Sequence, residues 1–342
     1  MTNLPKADNA MKYLFVLTSD IYDYYLEQAL LSITSLRLQM PSAYITLLTD
    51  DITEANLTDK RKNILSFVDE LIPIKIDSSY NKKARSRWLK TSMRQHLKGD
   101  FLFIDCDTII TDDLSVLGKM NINLGSVLNE HINLSGLKKY NPSYFENTQL
   151  LGKKLNFNST INSDYFFNSG VMLCRDLPIV YNFFEKWHEL WHYCFEQGIV
   201  TDQQSFNQAN FLMGNVISEL EGQWNCQILA DGGINYLYNA KIIHYFGGMK
   251  EENPYLLASK DITKDIKETG IVSKKIIESL NNSKCLFLPN SKLRVADKFS
   301  RSFSYIIVKK IFNSKFGAFI ESILVFVYKY IFTPIRKLLS KT

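Results

Sequence analysis

Cysteine is scarce in this sequence: five residues in 342, at positions 106, 174, 194, 226 and 285, with no two in C-x-x-C spacing. An odd, scattered set argues against a disulfide framework and against a cysteine-based zinc site, and favours a reducing compartment. Long apolar runs are missing too. The opening stretch, MTNLPKADNAMKYLFVLTSD, has no apolar h-region, so no secretory signal is expected. Within residues 301–338 no charge-free stretch exceeds seven residues, against the roughly 20 that a spanning helix needs. There is no internal repeat and no low-complexity tract, which excludes solenoids and compositionally biased linkers.

What is present is a large apolar complement, 46% of the chain. It suffices for one large α/β domain with an appendage, or for two domains. Charge is unevenly spread. Residues Lys292 to Thr342 hold eleven Lys or Arg against two acids, Asp297 and Glu321, while the whole chain nets only +5. The main body is therefore mildly acidic and the tail strongly basic, as if the tail were a separate device.

Hydrophobic periodicity lays out alternating elements. YLFVLTS (13–19) reads as a buried strand, followed by a helix from Tyr24 to Gln39 that ends before Pro41. AYITLLTD (43–50) is a second strand, with a polar helix from Thr53. DELIPIKI (69–76) is a third, where Pro73 implies an edge or a bulge. A basic helix, ARSRWLKTSMRQHL (84–97), leads into FLFIDCDTII (101–110). Further on, a strand ends near Asp176, a long helix spans 177–198, and another starts at 201 with Thr201 as its expected cap. KIIHYFGG (241–248) is a strand running into a glycine turn. Such alternation implies a parallel sheet with helices on both faces.

The run at 101–110 is almost wholly apolar yet carries Asp105 and Asp107 one residue apart. On an extended segment, residues i and i+2 share a side, so both carboxylates would project together at the strand's carboxyl end. Two unpaired negative charges there repel each other and are costly to desolvate. A bound cation or a shared proton would resolve this, at the end of the sheet where α/β folds place ligands. Three readings compete: a pair of Asp capping the next turn, a metal site for a diphosphate, and the nucleophile of an aspartate phosphatase. The phosphatase pattern D-x-D-x-[TV] is not met, because Ile109 stands where Thr or Val is required, and three strands precede the motif instead of none.

Three further blocks follow in order: Phe167-Asn168-Ser169-Gly170, Thr201-Asp202-Gln203 through Asn207, and His244 through Lys250. Each alone is weak. Together with Asp105-Cys106-Asp107 they resemble the retaining glycosyltransferases of family 8, which include bacterial lipooligosaccharide galactosyl- and glucosyltransferases and glycogenin. The resemblance covers roughly residues 12 to 250. It rests chiefly on the Asp-x-Asp paired with H-x-x-G-x-x-K, here His244, Gly247 and Lys250.

The resemblance implies a GT-A fold: a Rossmann-like, mixed but mostly parallel sheet flanked by helices, over residues 1–255. A helical linker (256–300) and a tail (301–342) would follow. It implies Mn²⁺, or else Mg²⁺, held by Asp105, Asp107 and His244. Donor contacts would come from Thr18, Ser19, Asp20, Tyr22, Arg87, Lys90, Asp105, Cys106, Asn168, Ser169, Gly247 and Lys250. Gln203 and Asp202 would serve the chemistry, and Glu130 or Asn129 would fill the acidic place after the next strand. The implied partners are a UDP-sugar donor and a saccharide or glycolipid acceptor, with no nucleic acid. A matching position held by Gln203, whose amide is a poor nucleophile, favours a front-face route over a double displacement. The family often follows its late Lys with Pro-Trp, whereas Lys250 is followed by Glu251-Glu252. A non-catalytic, membrane-associated sugar-nucleotide scaffold is the remaining alternative.

In the tail, Lys310, Ser314, Lys315, Glu321, Ser322 and Lys329 fall on one broad helical face, with Phe312, Phe316, Phe319, Ile320, Ile323, Val327 and Tyr330 opposite. That is a basic amphipathic helix, expected on an anionic membrane surface, or else packed on the body. A cytoplasmic protein held peripherally at the inner face of the membrane is the expectation.

Overall fold

A computed structural model of the chain describes residues 11–230, 232–245, 259–287 and 314–332. Gly247 and Lys250 lie outside the described residues, as does the rest of the segment 246–258. So do Phe312, Lys310 and the rest of 288–313 and 333–342.

The chain builds one seven-stranded sheet. Its strands are β1 (Lys12–Leu17), β2 (Tyr44–Asp50), β3 (Glu70–Ile74), β4 (Phe101–Ile104), β6 (Leu124–Leu128), β7 (Phe167–Cys174) and β8 (Ser218–Glu219), in the order β3-β2-β1-β4-β7-β6-β8. Pairs β1/β2, β2/β3, β1/β4 and β6/β8 are parallel, while β7 runs antiparallel to both β4 and β6. The sheet is thus mixed and mostly parallel, and the all-parallel alternation read from the first half stops at β4. Pro73 sits on the edge strand β3, where a missing N–H does no harm.

Period-two alternation explains why every central strand is apolar. Tyr13, Phe15, Leu17, Leu102, Ile104, Val171 and Leu173 enter one core cluster, with the Tyr25–Gln39 helix. Leu14, Leu48, Phe101, Phe103, Met172 and Cys174 enter a second cluster on the other face. There they meet the helices Lys82–His96, Pro178–Glu196 and Gln203–Leu212. Both faces are covered, so both residue sets must be hydrophobic. The helices Lys260–Thr269 and Lys274–Leu280 add Ile266, Ile276 and Leu280 to the first cluster.

The run 101–110 is not one strand. β4 ends at Ile104, the chain bends through Asp105-Cys106-Asp107, and β5 (Thr108–Ile110) joins a separate three-stranded sheet with β10 (Ile242–His244) and β9 (Cys226–Gln227). The two carboxylates therefore do not project from consecutive same-side positions of a strand. They sit where the chain passes from one sheet to the other. β5 and β10 pair antiparallel, with Thr108 opposite His244, and this register brings the late histidine beside the bend.

A second correction concerns the helix near 201. Asp202, not Thr201, occupies the cap position, and its side chain makes no capping bond. The reason lies in the partners its carboxylate has elsewhere. The polar helix from Thr53 is a short helix, Asp51–Ala55, followed by a 3-10 turn, Asp59–Ser66. In the tail, Lys315–Val327 is helical and continues through a π turn, Tyr328–Phe332. No helix among the described residues is long and apolar enough to cross a membrane.

Candidate active site

Asp105, Asp107 and His244 offer one ligand atom each, all within 4.8 Å of one another. His244 is buried, and its Nε2 stands 3.2 Å from Asp107 Oδ1. Its Nδ1 stands 3.0 Å from Asn225 Oδ1.

A chain of amides decides where the imidazole proton resides. The backbone N–H of Gly170 donates to Asn168 Oδ1 at 2.9 Å, which fixes that end of the amide as oxygen. Asn225 Nδ2 donates to the same oxygen at 2.9 Å, so Asn225 must turn Oδ1 towards His244. Oδ1 can only accept, and Nδ1 of His244 therefore carries the hydrogen. Asn168 Nδ2 in turn donates to Asn129 Oδ1, and Asn129 Nδ2 to the Tyr144 hydroxyl. With Nδ1 carrying a hydrogen, the ring turns Nε2 towards a carboxylate oxygen of Asp107. Two electron-rich atoms at 3.2 Å need a cation or a proton between them. A divalent cation fits this donor set of hard oxygens and one imidazole.

Gly170 makes the arrangement sterically feasible. A Cβ at that position would lie 2.4 Å from His244 Cε1 and 2.8 Å from its Nδ1. The glycine of the F-N-S-G block thus makes room for the imidazole.

The Lys82–His96 helix, capped by Asn81 on the Ala84 N–H, supplies the cations. Lys90 Nζ contacts both oxygens of Asp105 at 3.0 Å and lies 3.7 Å from Asp202 Oδ2. Arg87 Nε pairs with Asp202 Oδ1 at 2.9 Å, and Ser169 Oγ donates to Asp202 Oδ2 at 2.8 Å. Burial pushes the Asp202 carboxyl up, but Lys90, Arg87 and the Ser169 bond outweigh it and hold it down at about 2. Asp105 goes the other way. Burial raises it, Lys90 opposes, and the neighbouring Asp107 raises it further. Gln203 donates its amide nitrogen to the Phe167 carbonyl oxygen, which also accepts from Asn207 Nδ2.

A cleft of about 340 Å³ opens over this cluster at the carboxyl ends of β1 and β4. Thr18, Arg87, Asp105, Cys106 and Asp107 line it, as the resemblance implied. Tyr25, Gln28, Lys82 and Ser86 line it too and were not anticipated. Tyr22, the expected aromatic, is 85% exposed. Tyr25 lies three residues on at the start of the helix, and the Tyr22–Tyr25 spacing gives no local signal of which one faces inward. Ser19 is buried away from the cleft, with its Oγ donating to Asp23 and accepting from Arg61. Asp20, with Asp23, holds the Lys82 ammonium at 2.7 and 2.6 Å. Lys90, Asn168 and Ser169 are buried beneath the floor of the cleft as partners of Asp105, Asn225 and Asp202. The backbone N–H of Glu130 donates to Gln227 Oε1, and Asn129 belongs to the amide chain.

A polar cleft at the carboxyl ends of parallel strands, over a cluster of metal-ready ligands, is where open α/β sheets take their ligands. The sequence matches the model of Glycosyl transferase family 8 over residues 16–251. The chain belongs to that family and is a glycosyltransferase. Among solved structures it is similar to galactosyltransferase LgtC in complex with donor and acceptor sugar analogues. That match is 15% identical with a TM-score of 0.48, covering 78% of this chain and 99% of that one. Mouse xyloside xylosyltransferase 1 is 14% identical with a TM-score of 0.44, covering 69% and 97%. The glycosyltransferase GlyE of Streptococcus pneumoniae TIGR4 is 19% identical with a TM-score of 0.45, covering 81% and 65%. No curated protein matches the sequence.

Proposed function

We propose that the protein transfers a hexose, glucose or galactose, from a UDP-sugar to a saccharide acceptor with retention of configuration, giving an α-linkage. The observation that carries the reading is the convergence of Asp105, Asp107 and His244 below a cleft with Lys82 and Arg87 on its wall. A divalent ion held there, Mn²⁺ before Mg²⁺, supplies Lewis-acid neutralisation of the diphosphate leaving group. Lys82 and Arg87 add cationic charge at the cleft, and Lys90 keeps Asp105 in place from behind. Tyr25 offers an aromatic surface to the base. Asn168 and Asp202 keep the floor of the donor-sugar subsite in register.

Gln203 uses its amide nitrogen on the Phe167 carbonyl. Its amide oxygen is the end left for the donor sugar, where it stabilises positive charge that develops as the glycosidic bond breaks. The acceptor hydroxyl attacks from the side the phosphate leaves, and the departing phosphate oxygen takes its proton. Release of UDP from UDP-sugars, against release of free phosphate from phosphoesters, tests this reading against the phosphatase alternative.

The acceptor is proposed to be a lipid-linked surface glycan, met at the inner face of the cytoplasmic membrane. Exposed Phe316, Phe319, Leu324, Phe326, Tyr330 and Phe332 on the tail segment support this. Lys315, Ser322 and Lys329 recur every seven residues, two helical turns, and so form one polar strip. Such a segment lies in a membrane interface with its lysines at the headgroups. Residues 1–255 would then be the catalytic domain and 256–300 the extension that joins it to the tail.

A further inference from the structure

The Pro178–Glu196 helix carries His188 and His192 one turn apart, with Glu189 between them in H-E-x-x-H spacing. Residues i and i+4 share a helix face, and the two Nε2 atoms approach to 3.1 Å. The Tyr80 and Thr91 side chains stand behind the two rings. Thr91 Oγ1 lies 2.7 Å from His188 Nδ1. With its single hydrogen given to the Arg87 carbonyl oxygen at 2.9 Å, or to that of Trp88 at 3.2 Å, the Thr91 oxygen accepts from His188 Nδ1. His188 therefore carries its hydrogen on Nδ1, and its Nε2 aims a lone pair at His192. The hydrogen between the rings belongs to His192 Nε2. His192 Nδ1 faces the Tyr80 hydroxyl at 3.5 Å.

We propose that His188 and His192 form a second metal site, a two-imidazole clip for a divalent transition ion such as Zn²⁺, Ni²⁺ or Cu²⁺. With metal–nitrogen bonds of about 2.0–2.1 Å, two nitrogens on one ion stand roughly 2.9 Å apart at a right angle and roughly 3.4 Å apart at a tetrahedral angle. The observed 3.1 Å lies between these limits. The ion takes the place of the His192 Nε2 hydrogen, which shifts to Nδ1 and is accepted by the Tyr80 oxygen. The ring stays neutral. Each ligand then has an oxygen partner behind it on Nδ1, the arrangement that orients metal-bound histidines.

Burial, then His192 and His96, push His188 down to about 4, and burial lowers His192. Both rings are therefore neutral near neutral pH, the state that binds metal. A pair of imidazoles selects borderline transition ions, whereas the carboxylates of Asp105 and Asp107 suit Mn²⁺ or Mg²⁺. The two sites therefore differ in preference. The spacing does not make a hydrolase. Glu189 is exposed and pairs with Lys186 at 2.5 Å, so the glutamate of that spacing is engaged with a lysine. Both rings are only partly buried, which leaves the remaining coordination positions to water.

The chain has five histidines, 96, 131, 188, 192 and 244, so imidazole ¹⁵N spectra of the full-length, tag-free protein are readily assigned. Substoichiometric Cu²⁺ should broaden His188 and His192 together. Broadening confined to His244 overturns the proposal, and this readout needs no variant. Zn²⁺ calorimetry should give two ions per wild-type chain and one in His188→Gln or His192→Gln, with at least a tenfold weaker residual affinity at the lost site. One ion per wild-type chain, or two retained in both variants, also overturns it.

Discussion

Asn225 Oδ1 accepts the Nδ1 hydrogen of His244 at 3.0 Å and thereby turns the Nε2 lone pair of that ring towards Asp107. The direction is inherited from a backbone N–H, that of Gly170, through the shared oxygen of Asn168. Partners behind a ligating histidine typically matter 10- to 100-fold for metal affinity. Asn225→Ala should therefore weaken Mn²⁺ binding about 10- to 100-fold, measured by Mn²⁺ electron paramagnetic resonance on the protein without nucleotide. In the ¹⁵N spectrum, His244 should lose its fixed Nδ1–H form. Unchanged affinity with an unchanged tautomer would show that the amide chain is only a packing feature.

Gln203→Ala is expected to slow sugar transfer by on the order of 10²–10³ in kcat, as for the loss of one oriented electrostatic group. Its binding of UDP with Mn²⁺ should stay near wild type, because the side chain is proposed to meet the sugar and not the nucleotide. Equal losses in kcat and in UDP affinity would assign Gln203 to holding the Phe167 carbonyl alone.

Acid should destabilise the protein before its carboxylates are protonated. Burial holds His131 down to about 4, and burial does the same to His188. An unfolded histidine binds its proton near 6.5, so between about 6.5 and 4 the unfolded chain holds more protons and stability falls as pH falls. His131 explains why: its Nε2 accepts from the Gln227 backbone N–H at 2.9 Å and cannot take a proton without losing that bond. Each ring contributes up to about 3 kcal/mol across this window. Urea unfolding at pH 7 and pH 5 should show the drop, and His131→Gln should reduce its slope. A stability flat over that range would contradict the burial of both rings.

Removing residues 301–342 should leave a body that still binds UDP and divalent metal. Vesicles rich in anionic lipid should retain the full-length protein and not the truncated one, less strongly as salt rises. Salt-insensitive insertion resisting carbonate extraction would show a spanning segment, and a truncated body that precipitates would show that the tail packs on it.

Much of the sheet could be read from the sequence because its strands are buried on both faces. Runs such as Phe101–Ile104 and Leu47–Leu48 are therefore continuous and apolar. The bend at Asp105 could not, since nothing in the local pattern tells a strand that ends from one that carries on into β5. The floor of the site was legible through the family resemblance: Asp105, Asp107 and His244 do meet. Asn225 was not, because a lone asparagine after Trp224 carries no signal until β9 and β10 place it behind the imidazole. Likewise His188 and His192 read as positions on a long helix. Only the folded helices show that Thr91 and Tyr80 place an oxygen behind each ring.

Metal-assisted transfer from a UDP-sugar is read out by release of UDP. Full-length protein would be incubated with UDP-glucose, UDP-galactose and their N-acetyl forms, each with Mn²⁺ and with chelator. Mn²⁺-dependent UDP release from a hexose donor is expected, lost in Asp107→Ala. Its acceptor-coupled product should carry an α-anomeric proton by NMR. No UDP release from any of the four donors with Mn²⁺, alongside free phosphate release from a phosphoester, would contradict it.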